Sequence, residues 1–277
     1  MSRALPKEDM IGLIRDKALW MRRRAFRMVY EKQLGHLGGD FSAADIVATL
    51  YFGVLRYDAK RPNWPERDRF VMSKGHATGA LYTVLAAAGY FPEEWLDTYM
   101  RNQSMLNGHP NRRYLPGVET NTGPLGHGFP VALGIAIAGQ ITGAGYRTYV
   151  LAGDGEQQEG SNWEAAMTAG NRKVSNLTLI IDRNRLQQGA GTEETNGLNP
   201  LDDKYRAFGW DVVEIDGHDC DTLLDVLGAP VGDRKKPLCV IANTVKGKGV
   251  SFMENNIKWH HGIPNAEQFE QAMRELA

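Results

Sequence analysis

Strand-like runs alternating with helix-length stretches constrain this chain most. Residues 148–152, 177–182, 211–215 and 238–244 are short runs rich in Val, Ile and Leu. A parallel neighbour needs a crossover long enough for a helix, so such alternation implies parallel pairing. The sequence therefore predicts an α/β fold, a mainly parallel sheet with helices on both faces. Earlier in the chain, residues 69–72 read as a further short strand, and an N-terminal helical segment spans about residues 7–33. Ser42 to Asp45 reads as the start of a helix running to about Phe52. Helices are also expected over 77–88, 92–100 and 129–141, the last small and apolar enough to be buried. An amphipathic helix closes the chain over 266–276. Residues 102–125, rich in Gly, Pro and Asn, form a connection too long to be incidental, and such loops often carry function. With no linker and no internal repeat, residues 1–277 read as one domain, a length that sustains a single core.

Composition excludes more than it assigns. A net charge of −1 gives no general attraction to nucleic acid or to an anionic membrane. The basic runs Arg22–Arg24 and Arg234–Lys236 read as solvated or interface faces. Cys220 and Cys239 are too few for a disulfide framework, which suits a reducing cytoplasm. No apolar stretch approaches the roughly 18 residues of a membrane span.

Two strand ends carry the chemistry. One run ends in Gly153-Asp154-Gly155 and the next in Asp182-Arg183-Asn184. Mg²⁺ takes about six oxygen ligands and usually shares them with water and a phosphate-bearing molecule. Asp154 offers an anionic oxygen, Asn184 an amide oxygen, and Leu186 a backbone carbonyl as the chain turns away. Gly153 and Gly155 let the backbone turn sharply and approach phosphate. Ser161-Asn-Trp-Glu164 reads as a capping box, opening a helix whose N-terminus favours a nearby diphosphate. A dinucleotide fingerprint is excluded because Gln158 stands where its third glycine should be.

These motifs closely resemble the thiamine-diphosphate-binding (PP) domain of transketolases. Asp154 and Asn184 are 30 positions apart, which suits that family's metal motif. Further matching segments follow in family order: Leu34-Gly-His36-Leu-Gly-Gly39, Asp68 to His76, Asn107-Gly-His109-Pro110, Gly117 to Gly126, Thr244 to Gly249, and His261-Gly262. The resemblance implies that Asp154, Asn184 and the Leu186 carbonyl bind the metal, as magnesium or with calcium or manganese in its place. It implies that Gly153, Gly155, His76, Asn184 and His261 hold the diphosphate side of thiamine diphosphate. Gly123, Pro124 and Leu125 would line the cofactor through their backbone. His36, His109 and His261 would reach the sugar at the bond being broken, and Glu159 would join an acidic network toward a partner domain. Imidazoles suit that work because they exchange protons near neutral pH. His127 stands where many transketolases have glutamine, and either touches the cofactor or only fills the site. His218 reads as a turn residue, and His260 as a neighbour of the functional histidine. Leu37 stands where proline is frequent and Arg185 where glycine is common; neither removes a side-chain ligand.

The resemblance also implies what lies elsewhere. The family's glutamate against the aminopyrimidine ring belongs to a second domain that this sequence does not contain. The expectation is the N-terminal subunit of a split transketolase, a two-carbon ketol (glycolaldehyde) transferase acting on sugars or sugar phosphates, with pentose phosphates, branched sugar phosphates and sulfosugars all left open. It would work with a separate C-terminal subunit carrying the pyrimidine-binding and C-terminal domains, in an α₂β₂ assembly, and use neither nucleic acid nor membrane. The alternatives are a fragment, a subunit of another thiamine-diphosphate enzyme of the deoxyxylulose-phosphate-synthase kind, or a non-catalytic cofactor-binding subunit.

Overall fold

The computed structural model describes residues 5–230, 232 and 234–277. Its centre is a sheet of five parallel strands: β1 (Arg69–Met72), β2 (Thr148–Gly153), β3 (Leu177–Arg183), β4 (Asp211–Asp216) and β5 (Leu238–Asn243), in the order β1-β2-β3-β5-β4. Nine α-helices accompany it among the described residues. They are α1 (Lys7–Lys32), α2 (Leu37–Thr49), α3 (Thr78–Ala87), α4 (Gly128–Thr142), α5 (Gly160–Asn171), α6 (Thr192–Asn196), α7 (Leu201–Ala207), α8 (Cys220–Gly228) and α9 (Ala266–Glu275).

Side chains alternate across the strands with period two, so each strand feeds two cores. Tyr149, Leu151, Ile180, Val240 and Ala242 join the core beneath α1, α2, α3 and α8. Val150, Ala152, Leu179, Ile181, Cys239 and Ile241 join the core beneath α4, α5 and α7. The inner strands are buried on both faces, which is why they read as continuous apolar runs. The chain adds β2 beside β1 and β3 beside β2, crosses to the outer strand β4, then returns through α8 to lay β5 between β3 and β4. The register aligns Gly153 with Asp182, and Arg183 with Asn243. The carboxyl ends of β2, β3 and β5 thus meet along one edge, where open α/β sheets place their ligands.

Several expectations need correction. α2 opens at Leu37 rather than Ser42, and a π-helical turn over Leu50–Val54 continues it. Ser42 caps nothing; its buried hydroxyl donates to Asp182 Oδ2 at 2.6 Å. Residues 93–98 form a 3-10 helix rather than an α-helix. The N-cap position of α5 is Glu159, which makes no side-chain capping bond, and Ser161 donates instead to the Gly126 carbonyl at 2.6 Å, so the expected capping box is absent. A full capping box opens α9, between Asn265 and Gln268. Arg22 is not solvated: it is buried, donating to Asp45 Oδ2 at 2.5 Å and to the Phe41 carbonyl at 2.9 Å. His218 is more than a turn residue. Its Nδ1 lies 2.7 Å from Asp45 Oδ2, and its Nε2 accepts the Val245 N–H at 2.8 Å, which ties the 244–246 loop to α2.

One ion pair sits at the focus of these elements. Lys74, two residues beyond β1, donates to Asp182 Oδ2 and to the Gly39 carbonyl, and Thr244 donates to Asp182 Oδ1. Lys74 and Asp182 side chains are 2% and 0% exposed. Burial pushes the Asp182 pKa up, but Lys74 and the two hydroxyl donors outweigh it and hold the carboxyl below its ordinary value. Removing one partner of a buried pair strands the other charge, at a cost of about 3–5 kcal/mol. Lys74→Met should lower unfolding stability by that amount in urea titrations at pH 7. Because the folded-state pKa of Asp182 is depressed, its contribution is complete above the unfolded value near about pH 4 and is lost as pH falls through the lower folded value. An undiminished stability in the variant at pH 7 would show that the pair holds nothing together.

Candidate active site

At the carboxyl edge of the sheet lies a cleft of about 400 Å³. Asp154 and Asn184 both line it, from the ends of the adjacent strands β2 and β3. Asp154 is buried and accepts the backbone N–H groups of Gly155 at 2.7 Å and Arg185 at 2.5 Å. The second of these comes from the residue after Asn184, so the carboxylate lies directly against the Asn184 turn. Burial, then the nearby Asp182 carboxylate, raise the pKa of Asp154. A cation beside it would relieve both effects. The turn itself passes through Arg185 in the left-handed region (φ 66°), the conformation glycine adopts most readily. Arg185 holds it by donating to Asn243 Oδ1 at 3.1 Å. Leu186 follows, and its carbonyl accepts from Lys246 Nζ at 2.9 Å. The three residues expected to hold a metal therefore line one cleft; the Asn184 Oδ1 accepts the Leu186 N–H at 3.1 Å, and the Leu186 carbonyl already attracts positive charge.

The opposite wall comes from the long connection before α4. Gly123 (φ 148°) lies so close to the imidazole of His109 that a β-carbon there would sit 2.9 Å from its Cδ2. At Gly75 a β-carbon would meet the Gly123 nitrogen at 2.5 Å, so the two chain segments touch backbone to backbone. Glu156 fastens this arrangement. Its buried carboxylate accepts the Ser73 hydroxyl, the Gly126 N–H at 3.1 Å and the Gly153 N–H at 2.9 Å. Burial raises its pKa.

Histidines fill the far side. Ring centroids lie 4.0 Å apart for His36 and His261, 5.3 Å for His36 and His76, and 5.3 Å for His76 and His260. Burial, then the neighbouring His261, depress the pKa of His36 to about 4; burial and Lys74 also lower that of His76. At pH 7 both are neutral, able to donate from one nitrogen and accept at the other. The His36 Nδ1 is buried with no hydrogen-bond partner among the described residues. Lys246, 2% exposed, has its pKa lowered to about 8 by burial and then by Lys74.

The cleft thus gathers His36, His76, His109, Gly123, Leu125, Gly153, Asp154, Gly155, Glu159, Asn184, Leu186 and His261, all expected from sequence. Pro124 is not among them; it is exposed beside the cleft. His127 also faces solvent, its Nδ1 3.0 Å from the Leu125 carbonyl, at the start of α4. Glu159 is exposed at the rim, and a 3-10 turn over Gly155–Gln158 separates Asp154 from the start of α5, so that helix's N-terminus is set back. Sequence reasoning assigned no role to Lys74, Glu156, Lys246 or His260. The two lysines carried a usable signal, since each is a charge next to glycine just past an apolar strand.

Comparison with known proteins gives this geometry a family. A family model described as "Transketolase, thiamine diphosphate binding domain" matches residues 15–276. The chain belongs to the transketolase family. It is 47% identical over 256 residues to an apulose-4-phosphate transketolase subunit of Phocaeicola vulgatus, covering 92% of this chain and 91% of that protein. It is 44% identical over 243 residues to the 6-deoxy-6-sulfo-D-fructose transketolase subunit SqwG of Clostridium sp., covering 88% of each. Among solved structures, the transketolase from Leishmania mexicana superposes with a TM-score of 0.90 at 31% identity, over 95% of this chain and 41% of that one. Against the human transketolase the identity is 35%, with 43% of that protein covered.

Glu156→Ala should loosen the 123–126 wall while leaving the strands in place. Hydrogen exchange is expected to quicken at Gly126 and Gly153 but not within β3; equal protection in both proteins would remove Glu156 from its bracing role.

Proposed function

We propose that this chain is the cofactor-binding subunit of a two-chain transketolase, transferring a two-carbon ketol unit from a ketose or ketose phosphate to an aldose or aldose phosphate. The observation that carries the reading is the meeting of the Asp154 carboxylate with the Asn184 turn at adjacent strand ends, beside the Lys246 ammonium and neutral imidazoles. Asp154, Asn184 and the Leu186 carbonyl are hard oxygen donors of the kind Mg²⁺ takes, and their arrangement leaves room for phosphate oxygens. Gly153 and Gly155 let a diphosphate approach the backbone, with His76, His261 and Lys246 at its side. Gly123 and Leu125 would flank the rest of the cofactor. Thiamine diphosphate, when bound, supplies the electron sink that carbon–carbon cleavage requires.

The chain's own residues do the remaining work. His36, His109 and His261 hydrogen-bond the sugar's oxygens and hold or move protons there. A neutral His36 with an unpartnered Nδ1 is equipped to do both. Glu159 at the rim faces the side from which a partner domain would close the cleft. The cofactor's aminopyrimidine end falls to a second domain in the family, so this chain would work with a separate C-terminal subunit. Relatives of similar length that are named as transketolase subunits support that. Its donors would be ketoses with an anionic end, among them pentose phosphates, branched sugar phosphates and sulfosugars.

α4 supports an α₂β₂ assembly. This helix carries no charged residue, yet Val131 is 41% and Ile141 80% exposed, with Met167 of the adjacent α5 at 55%. A helix apolar all round is one that is covered. Gly134 on the same side has nothing among the described residues within 4 Å of a β-carbon position, so it answers no crowding there. Antiparallel pairing of two copies about residue 136 would set Val131 against Ile141 and Gly134 against Ala138. Such a face is complementary to itself, as a two-fold interface demands.

Two outcomes test the reading. In the complex with its partner, Asp154→Ala should weaken Mg²⁺-dependent binding of thiamine diphosphate by about 100-fold or more in calorimetry; unaltered affinity would refute the metal assignment. Ile141→Glu should halve the assembly's mass in sedimentation velocity with circular dichroism unchanged. An intact heterotetramer would place the interface elsewhere.

A further inference from the structure

His260 lines the cleft, yet neither its sequence context nor the family resemblance gives it a task. Its surroundings do. Lys246 Nζ lies 3.1 Å from His260 Nδ1 and 2.9 Å from the Leu186 carbonyl. A lysine ammonium has three donors and no acceptor. Nδ1 must therefore present its lone pair to Lys246, which leaves the proton of the neutral ring on Nε2. Burial, then Lys246, depress the pKa of His260 to about 3, so the ring is neutral wherever the enzyme would work. The backbone holds this geometry. A β-carbon at Gly38 would sit 2.9 Å from the Trp259 carbonyl oxygen and 3.0 Å from Lys246 Cγ, so the 259–260 segment and the lysine stem both rest on the first turn of α2. A ring nitrogen of His260 lies within 4.8 Å of one on His36 and one on His261.

We propose that His260 is a further sugar-contacting residue of this cleft, fixed by Lys246 as a hydrogen-bond donor through Nε2. His36, with Nδ1 unpartnered, can change tautomer and so handle either a proton or a lone pair. His260 cannot; it recognises an oxygen lone pair on the ketose and does not exchange its proton. Its contribution is therefore to positioning and selection of the sugar. The assignment of the ligand as a sugar rests on the transketolase reading, while the tautomer does not.

Amide variants separate the two nitrogens. His260→Asn places an oxygen near the Nδ1 position, keeping an acceptor for Lys246 but losing the distal donor. His260→Gln reaches to the Nε2 position with an N–H and gives up the acceptor. In the complex with the partner subunit, His260→Asn should raise KM for the ketose about tenfold, the value of one hydrogen bond, with kcat within about twofold. Its affinity for thiamine diphosphate should match the native protein. His260→Gln should restore most of the KM. Nitrogen NMR of the histidine-labelled complex, with the His260 signal identified by its loss in His260→Asn, should show the Nε2–H tautomer at pH 7 and a shift of that signal on adding ketose. An Nδ1–H tautomer, a protonated ring, or a ketose that leaves both KM of His260→Asn and the signal unchanged would overturn the proposal. Absence of ketose cleavage in the native complex would instead count against the transketolase reading, and the tautomer and ketose-induced shift would still decide the role of His260.

Discussion

Everything at the carboxyl edge of the sheet is organised around the buried pair of Lys74 and Asp182. Asp182 belongs to β3, Lys74 follows β1, Ser42 comes from α2 and Thr244 from the end of β5, and all four meet through one carboxylate. Lys74 also takes the Gly39 carbonyl, so the helix that carries His36 at its start is drawn to the strand that ends in Asn184. Buried charges are tolerated only when paired and hydrogen-bonded. Satisfying Asp182 therefore fixes where α2, β1, β3 and β5 stand relative to one another. Two positions beyond Lys74, Asp182 and Thr244 stand His76, Asn184 and Lys246, all of which line the cleft.

A second carboxylate does for the opposite wall what Asp182 does for the first. Glu156 gathers Ser73, Gly126 and Gly153, bringing the ends of β1 and β2 to the loop that carries Gly123 and Leu125. The glycines at 75 and 123 then let two stretches of backbone touch where any β-carbon would separate them. Within this frame the charge pattern is uneven. Asp154 is a carboxylate burdened by burial and by Asp182, and the other side of the cleft holds Lys246 among neutral imidazoles. A cation near the first and a polyanion near the second would lower the energy of both, which is why the proposed metal diphosphate suits this cleft.

Much of this was legible in the chain. The parallel sheet followed from apolar runs spaced by helices, and the strand-end residues from their polarity after apolar segments. Less legible were features that depend on contacts across the fold. Ser42 resembles a helix cap in sequence but is claimed by Asp182, 140 positions away. Ser161 is likewise drawn to Gly126 by the packing of the long loop. Arg22 looked like one of three solvated arginines until Asp45 and the Phe41 carbonyl took its guanidinium. Pro124, expected to line the cofactor through its backbone, lies exposed beside the cleft, between Gly123 and Leu125, which line it. α4 read as buried, which its composition supports and this chain satisfies on one side only. That mismatch is what the two-fold interface proposed for α4 rests on.

The proposed chemistry stands on one convergence, that of the Asp154 carboxylate, the Asn184 amide and the Leu186 carbonyl upon a single ion. Crystals of the complex grown with thiamine diphosphate and Mn²⁺, measured at the manganese absorption edge, test it most directly. One anomalous peak bonded to those three oxygens and to the diphosphate is the predicted result. A peak elsewhere in the chain, or a diphosphate bound with no peak between residues 154 and 184, would contradict it.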